Sequence, residues 1–299
     1  MDGGSNAADS EHHGSRTILF FGDSNTRGYG VGRQQRFAAV LETALAARGH
    51  AAWRCVVGHA PSDFRSFARR LDYPMETFVP DILVWQCPTG PAAYFVRYPE
   101  WITRLATFHN RWFNWRRARY IRADMRAGGE GRTRREALYE GRYLNRLYGL
   151  RPARWPGIRQ ARRLLAARYG TRVKATRERY LELASAARDQ LRARTGAPIL
   201  FLGLFPHSDE SFPGYTARIA EWNGYLARLL HQPDAGLLFL DVANGLHPGS
   251  DQLLFSDGMH LSIEAHRRVA EIILPIVIRL IDTVETATAD YPATYQPSV

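Results

Sequence analysis

A buried strand that runs directly into a polar turn is encoded in residues 17–26, TILFFGDSNT. The apolar run 18–21 is continuous rather than alternating, which is typical of strands buried on both faces of a parallel sheet. Gly22 then permits a tight turn before Asp23 and Ser24. Catalytic residues of open parallel sheets lie just beyond the carboxyl ends of strands, so Ser24 is a candidate nucleophile. The same residue types are also common in turns and helix caps.

The rest of the chain continues an alternation of strands and helices. Four more apolar runs predict strands at 53–57, 82–85, 199–205 and 237–242. Apolar spacings of three and four residues predict helices over 37–45, 173–194, 215–231 and 262–283, the first of them capped by Gly49. We therefore predict an α/β fold with a doubly wound parallel sheet of five strands.

Length and composition set the limits of this prediction. The chain has 299 residues, of which 45% are hydrophobic and 23% charged, which suits one α/β domain over 17–286 and excludes disorder of the whole chain. Residues 1–16 are predicted to be a disordered tail and 287–299 a C-terminal tail. The longest apolar stretch, 272–278, has seven residues, whereas a membrane-spanning helix needs about 20.

The cellular compartment is predicted from the N-terminus and the cysteines. The first residues contain no apolar signal segment, and Cys55 and Cys87 are too few for a disulfide framework. Both are therefore interpreted as reduced thiols of a cytoplasmic protein.

The positive charge is concentrated in one segment. The chain carries a net charge of +11, and residues 97–195 contain 26 Lys and Arg against 8 Asp and Glu, so the remainder is net negative. Residues 97–172 interleave arginine with aromatic residues and interrupt the alternation of strands and helices. We interpret 97–172 as a helical insertion between the third and fourth strands, with 128–136 as its most flexible loop.

Three roles for this insertion are open. As a lid, its aromatic residues would line the site while its arginines held an anionic substrate group. As a nucleic-acid surface it would bind phosphates and stack bases, but the chain has no recognised nucleic-acid motif, so this partner is not expected. As plain structure it would be a solvated helical subdomain. The aromatic residues concerned are Trp101, Trp112, Phe113, Trp115 and Tyr120.

A base for Ser24 is available near the C-terminus, in residues 256–262, SDGMHLS. A serine nucleophile needs a base beside it, and the base needs a carboxylate on its other ring nitrogen. The spacing Asp257-x-x-His260 lets Asp257 orient His260, which would accept the proton of Ser24.

Together these two ends of the chain resemble the SGNH, or GDSL-type, hydrolases. The resemblance rests on Gly22-Asp23-Ser24 after the first strand, Asp257-x-x-His260 before the last helix, and the order of strands and helices between them. It covers roughly 17–96 and 190–285 and omits the insertion. It implies a flavodoxin-like sheet, metal-free hydrolysis of an acyl ester, and Ser24, Asp257 and His260 as the catalytic triad.

The resemblance also implies oxyanion donors in addition to the backbone of Ser24. Gly58 matches the glycine that the family places after its second strand. After the third strand, where the family has Gly-x-Asn-Asp, residues 88–91 read PTGP, so the asparagine is missing. The nearest candidate donors in its place are Thr89, Gln86 and Asn25. We favour Thr89, because its loop should face the nucleophile.

Four other residues have weaker functional interpretations. His59 could line the pocket and His207 could contact substrate. Asp241 could compete with Asp257 as the orienting acid, although a cap of the following turn is the simpler interpretation. Cys87 is expected to be a buried thiol. The sequence contains neither a cluster with metal-ligand spacing nor a phosphate-binding loop.

We therefore expect a serine esterase or acyl hydrolase that acts on a small-molecule ester through an acyl-enzyme on Ser24, without a cofactor. Two alternatives are open. An acyltransferase would pass the acyl group to a hydroxyl of a sugar or metabolite. A non-catalytic protein would have lost its site with the missing asparagine and would bind an anionic partner through the insertion.

Overall fold

The computed structural model describes residues 16–59, 64, 67–97, 100, 104, 115, 119, 157–246, 253–254 and 258–289. The strands in these ranges are β1 (Arg16–Gly22), β2 (Trp53–His59), β3 (Ile82–Gln86), β4 (Tyr94–Val96), β5 (Thr171–Val173), β6 (Ile199–Leu202) and β7 (Leu237–Leu240). The α-helices are α1 (Phe37–Ala46), α2 (Phe67–Phe78), α3 (Ile158–Tyr169), α4 (Arg177–Arg192), α5 (Tyr215–Leu230), α6 (Val242–Gly245) and α7 (Ile263–Ala289). Short 3₁₀ turns lie at Arg33–Gln35 and Pro233–Ala235.

Five strands form one sheet in the order β2-β1-β3-β6-β7, and every neighbouring pair is parallel. These are the five predicted strands, so the α/β fold is confirmed. The chain passes from β1 to the edge strand β2 and then returns to β3 on the other side of β1. The order therefore reverses beside β1, and the carboxyl ends of β1 and β3 border the crevice in which such sheets place their sites.

Alternate residues of the central strands pack on opposite faces of the sheet. Ile18 and Phe20 belong to a hydrophobic core shared with α1 and α7. Leu19 and Phe21 belong to a second core, shared with α2, α4 and α5. Both faces are therefore covered by helices, which explains why the strand sequences are apolar without alternation.

Helix α1 ends as its sequence predicts. Gly49 has φ of +92°, and its N–H donates to the carbonyl of Ala46 at 3.2 Å. The N–H of His50 donates to the carbonyl of Leu45 at 3.0 Å. These two hydrogen bonds form a Schellman motif, which depends on the left-handed glycine.

Several element bounds differ from the prediction. Helix α4 begins at Arg177, where Thr176 caps it, because Val173, the predicted first residue, ends β5 and the chain bends at Lys174 and Ala175. Helix α7 continues to Ala289, beyond the predicted end at 283 and into the predicted tail. Helix α2 was not predicted, and its sequence is difficult to recognise because Pro74 lies inside it.

Strand β6 ends at Leu202, three residues before the predicted end of the apolar run. The amide of Asn223, on α5, accepts from the N–H of Leu204 at 2.8 Å and donates to the carbonyl of the same residue at 3.3 Å. Both backbone groups of Leu204 are therefore satisfied by a side chain rather than by a neighbouring strand.

The described part of the predicted insertion consists of α3 and an antiparallel pairing of β4 with β5. It lies in the chain between β3 and β6, the third and fourth strands of the parallel sheet. The loop 128–136, residues 1–15 and 290–299 of the predicted tails, and the predicted lid residues Trp101, Trp112, Phe113 and Tyr120 lie outside the described residues. Trp115 is described and is about half exposed. No helix in the described ranges has the length and apolarity needed to cross a membrane.

Candidate active site

The centre of the candidate site is the contact between Ser24 and His260, whose Oγ and Nε2 atoms lie 3.0 Å apart. Ser24 follows β1 directly, and His260 lies three residues before α7. Both side chains are half-buried. The fold therefore brings together two predicted site residues that are separated by 236 positions in the chain.

A buried hydrogen-bond network centred on the Gln86 side chain fixes the turn that contains Ser24. The side-chain oxygen of Gln86, at the end of β3, accepts from the N–H of Asp23 at 2.9 Å and from the hydroxyl of Thr26 at 3.0 Å. Its amide nitrogen donates to the carbonyl of Cys87 at 2.6 Å. Gly22 is required here, because a Cβ would lie 2.1 Å from Thr26 Oγ1 and 2.8 Å from the Gln86 side chain.

The carboxylate of Asp23 completes this network. One oxygen accepts from the N–H of Asn25 at 2.8 Å, and the other accepts from the N–H of Thr89 and the amide of Gln86, each at 3.2 Å. Asp23 is 4% exposed. Its carboxylate thus holds the turn that presents Ser24.

All three candidate oxyanion donors take part in the same network, Asn25 through its backbone N–H and Gln86 and Thr89 through their side chains. Gln86 directs its amide at acceptors within the protein, as described above. Thr89 is buried, and its hydroxyl accepts from the amide of Gln86 at 3.2 Å. A hydroxyl that accepts one hydrogen bond keeps its own proton to donate. The oxyanion role of Thr89 stays a prediction.

One of the two predicted backbone donors, Gly58, differs in position from the family-based expectation. Among the described residues, the N–H of Ser24 donates to no protein acceptor. Gly58 lies inside β2, opposite Phe21, rather than after the strand. A Cβ at Gly58 would lie 3.2 Å from the Phe21 ring and 3.3 Å from Pro74, so this position has little room for a side chain. The oxyanion role of Gly58 is likewise a prediction.

The loop that carries His260 is attached at both ends. The carbonyl of Gly258 accepts from the N–H of Ser208 at 2.8 Å, and the N–H of Leu261 donates to Asn25 Oδ1 at 3.0 Å. Gly258 has φ of +68°. Asp257, the predicted orienting acid, lies outside the described residues.

An aromatic contact at His260 was not predicted from the sequence. The ring of Tyr29 stacks on the imidazole of His260, with ring centroids 3.9 Å apart and an angle of 26° between the planes. The available signal was the segment Gly28-Tyr29-Gly30, since two glycines so close to Ser24 indicate a chain that turns back on itself.

The four residues with weaker functional interpretations lie at the ends of strands or in the loops that follow them. Asp241 caps α6 and accepts from the amide of Asn223 at 2.7 Å, as the simpler interpretation had it. His207 is buried and stacks on Tyr215 with centroids 4.4 Å apart. Cys87 is fully buried, and burial raises the pKa of its thiol. His59 ends β2, and its side chain is not among those described.

Helix α3 brings part of the insertion beside this loop. The guanidinium of Arg159 donates to the carbonyl of Leu254 at 3.4 Å. Leu254 in turn pairs with Leu261, the residue after His260, in an isolated antiparallel β-bridge. Arg162 lies over the ring of Phe212, 5.7 Å from its centroid. Within the described residues, no group of His, Cys, Asp and Glu could hold a metal ion.

Comparisons with known proteins give likenesses in structure only. No family model and no curated protein matches the sequence. The solved structure of TesA is 17% identical, with 89% of this chain aligned to 99% of that chain and a TM-score of 0.47. The esterase EstA from Pseudoalteromonas sp., inhibited by monoethylphosphonate, is 10% identical, with 90% and 100% aligned and a TM-score of 0.49.

A third solved structure belongs to a protein assigned to the lipolytic G-D-S-L family from Desulfitobacterium hafniense. It is 12% identical, with 88% of this chain aligned to 99% of that chain and a TM-score of 0.46. Likenesses at this level assign neither an activity nor a substrate. The chain is similar to these three solved structures in its α/β fold.

Proposed function

We propose that this protein is a serine hydrolase that cleaves an ester or similar acyl linkage of a small molecule through an acyl-enzyme on Ser24. The observation that carries the proposal is the 3.0 Å contact between Ser24 Oγ and His260 Nε2 at the carboxyl end of β1. A serine hydroxyl is a weak nucleophile on its own, and a base within hydrogen-bond reach activates it.

In the proposed first step, Ser24 Oγ attacks the acyl carbonyl carbon while His260 Nε2 accepts the serine proton. The tetrahedral intermediate collapses when His260 returns that proton to the departing alcohol oxygen. Water then attacks the acyl-enzyme while His260 accepts its proton, and His260 returns that proton to Ser24 Oγ as the ester bond breaks, which releases the acid and regenerates Ser24. Asp257 is proposed to accept a hydrogen bond from the Nδ1–H of His260, which orients the ring and stabilises the imidazolium.

The negative charge on the carbonyl oxygen needs donors that are in place before the reaction. We propose the N–H groups of Ser24 and Gly58 and the hydroxyl of Thr89. Support for Ser24 is that its N–H has no acceptor among the described residues. Support for Thr89 is that its hydroxyl accepts from Gln86 and so retains its proton.

The proposal is tested by the hydrolysis of p-nitrophenyl esters of increasing acyl length. We expect turnover by the wild-type protein, none by Ser24→Ala, and a loss nearly as large in His260→Ala, because members of a triad act as a unit. Ser185→Ala is the control, since it removes a half-buried serine on α4. Equal turnover by wild type and Ser24→Ala would contradict the proposal.

A further inference from the structure

We infer that Tyr29 is a positioning residue for the proposed reaction, which holds the imidazole of His260 in the plane that directs Nε2 at Ser24. This inference rests on the proposed function. Its basis is the face-to-face contact of the two rings, whose centroids are 3.9 Å apart with 26° between their planes.

The backbone explains why Tyr29 lies at this position. Its N–H donates to the carbonyl of Ser24 at 2.9 Å, so the chain returns to the nucleophile within five residues. Gly28 and Gly30, on either side, have φ of +68° and +84°, values that favour glycine. The turn that presents Ser24 therefore also delivers an aromatic ring to His260.

The contact restricts the motion of the imidazole. Tyr29 is 4% exposed and is therefore fixed by its surroundings, whereas His260 is half-buried in a short loop. The terminal torsion of a histidine is broad in energy, so contacts on the ring faces as well as hydrogen bonds at its nitrogens decide the ring plane. A rigid ring lying flat against one face of the imidazole limits rotation about that torsion, and Ser24 Oγ and Nε2 remain within hydrogen-bond reach.

The same contact adds an attraction in the proposed transition state. When His260 accepts the serine proton, the imidazolium faces the electron-rich surface of the tyrosine ring, and cations are attracted to such surfaces. This stabilisation develops only as the proton is transferred, so it should act on the chemical step rather than on substrate binding. The hydroxyl of Tyr29 is not needed for either effect.

The test compares Tyr29→Leu, which removes the ring, with Tyr29→Phe, which keeps it. For the leucine variant we expect kcat and the rate of fluorophosphonate labelling to fall about tenfold, with KM unchanged, because a ring–cation contact of this kind contributes on that scale. The phenylalanine variant should keep the wild-type values. If the leucine variant does not fold, Tyr29→Met replaces it in the same measurements, because methionine also lacks the ring and its flexible side chain fills irregular space.

Phe37→Leu is the matched control, because Phe37 is a buried ring stacked on a different histidine, His266, with centroids 5.7 Å apart. It should lower stability without changing kcat. An independent readout is the NMR shift of the His260 ring protons, which a stacked ring moves upfield. That shift should persist in Tyr29→Phe and disappear in Tyr29→Leu.

The outcomes separate this inference from the proposed function. A labelled wild-type protein with a tenfold slower leucine variant supports both. If Tyr29→Leu has the wild-type kcat and labelling rate, the role of Tyr29 is overturned and the proposed function stays intact. The same holds if the NMR shift of the His260 ring protons is unchanged in Tyr29→Leu. A wild-type protein that neither turns over esters nor reacts with the probe overturns the proposed function, and the positioning role with it.

Discussion

Asn25, the residue after Ser24, accepts a hydrogen bond through Oδ1 from the backbone N–H of Leu261, the residue after His260, at 3.0 Å. The bond is buried and joins the two loops of the candidate site directly. It therefore sets the distance between the proposed nucleophile and base independently of their own contact.

Asn25→Ala should leave the N–H of Leu261 buried without this acceptor. We expect the free energy of unfolding to fall by about 1–3 kcal/mol, the typical cost of such a group. Small displacements of catalytic groups are costly, so fluorophosphonate labelling should slow by about ten- to a hundredfold. Asn244→Ala, which removes an exposed asparagine, is the control. A destabilised Asn25→Ala protein that labels at the wild-type rate would show that the bond serves stability alone.

Gly258→Ala should displace the His260 loop. A Cβ there would lie 2.6 Å from Ser211 Oγ and 3.0 Å from Ser208 Cβ, in addition to the cost of φ at +68°. Gly49→Ala has a similar backbone cost, since φ is +92°, but its Cβ would meet nothing within 4 Å. Both variants should lose about 1–2 kcal/mol of stability to the left-handed conformation. Only Gly258→Ala should also slow ester turnover, and equal turnover in the two variants would argue against a role for this contact.

Thr89→Val tests the proposed replacement for the missing asparagine. Valine keeps the shape of threonine and removes the hydroxyl, so kcat should fall about 10²–10³-fold, as for other single oxyanion donors. The fold should tolerate the change, because Gln86 retains its hydrogen bond to the carbonyl of Cys87. Thr89→Ser keeps the hydroxyl and should retain most of the activity. If Thr89→Val turns over at the wild-type rate, only the backbone donors remain.

His266 makes stability depend on pH. It is fully buried on α7, and its Nδ1 accepts from the N–H of Phe37 at 3.3 Å. Burial, with smaller contributions from Arg36 and His260, lowers the pKa of His266 to about 3. In the unfolded chain His266 is therefore protonated as pH falls through about 6.5, whereas in the folded protein it stays neutral until pH falls to about 3. The stability contributed by neutral His266 is complete above pH 6.5 and is lost as pH falls from there.

Urea unfolding at pH 7 and pH 5 measures this effect. Between these two values the wild-type protein should lose about 2 kcal/mol more stability than His266→Leu, in which the titrating group is absent. His231→Gln is the control, because His231 is exposed and also accepts from a backbone N–H. Equal losses in the wild type and His266→Leu would refute the assignment of the proton to His266.

The fold could be predicted because its strands are buried on both faces. Continuous apolar runs such as 18–21 and 82–85 fit few structures other than a covered parallel sheet. Ser24 could be located because a polar turn directly follows such a run. His260 could be paired with it only through the chemistry that a serine nucleophile requires.

The supporting contacts of the site could not be predicted in the same way. Gln86 lies 63 positions from Asp23, and Asn25 lies 236 positions from Leu261. No local pattern encodes such pairs, because they arise only when the carboxyl ends of the strands meet. The segments β4 and β5 have three residues each, too few to show a period. Helix α2 was missed because proline normally ends a helix.

The assignment of Ser24 as the nucleophile is tested most directly by mass spectrometry of the protein after reaction with a fluorophosphonate. This probe forms a covalent bond with an activated serine and does not require knowledge of the substrate. We expect one adduct per chain, on the peptide that contains Ser24, with no adduct in Ser24→Ala and a strongly reduced rate in His260→Ala. An adduct on another residue, or none on the folded wild-type protein, would contradict this assignment.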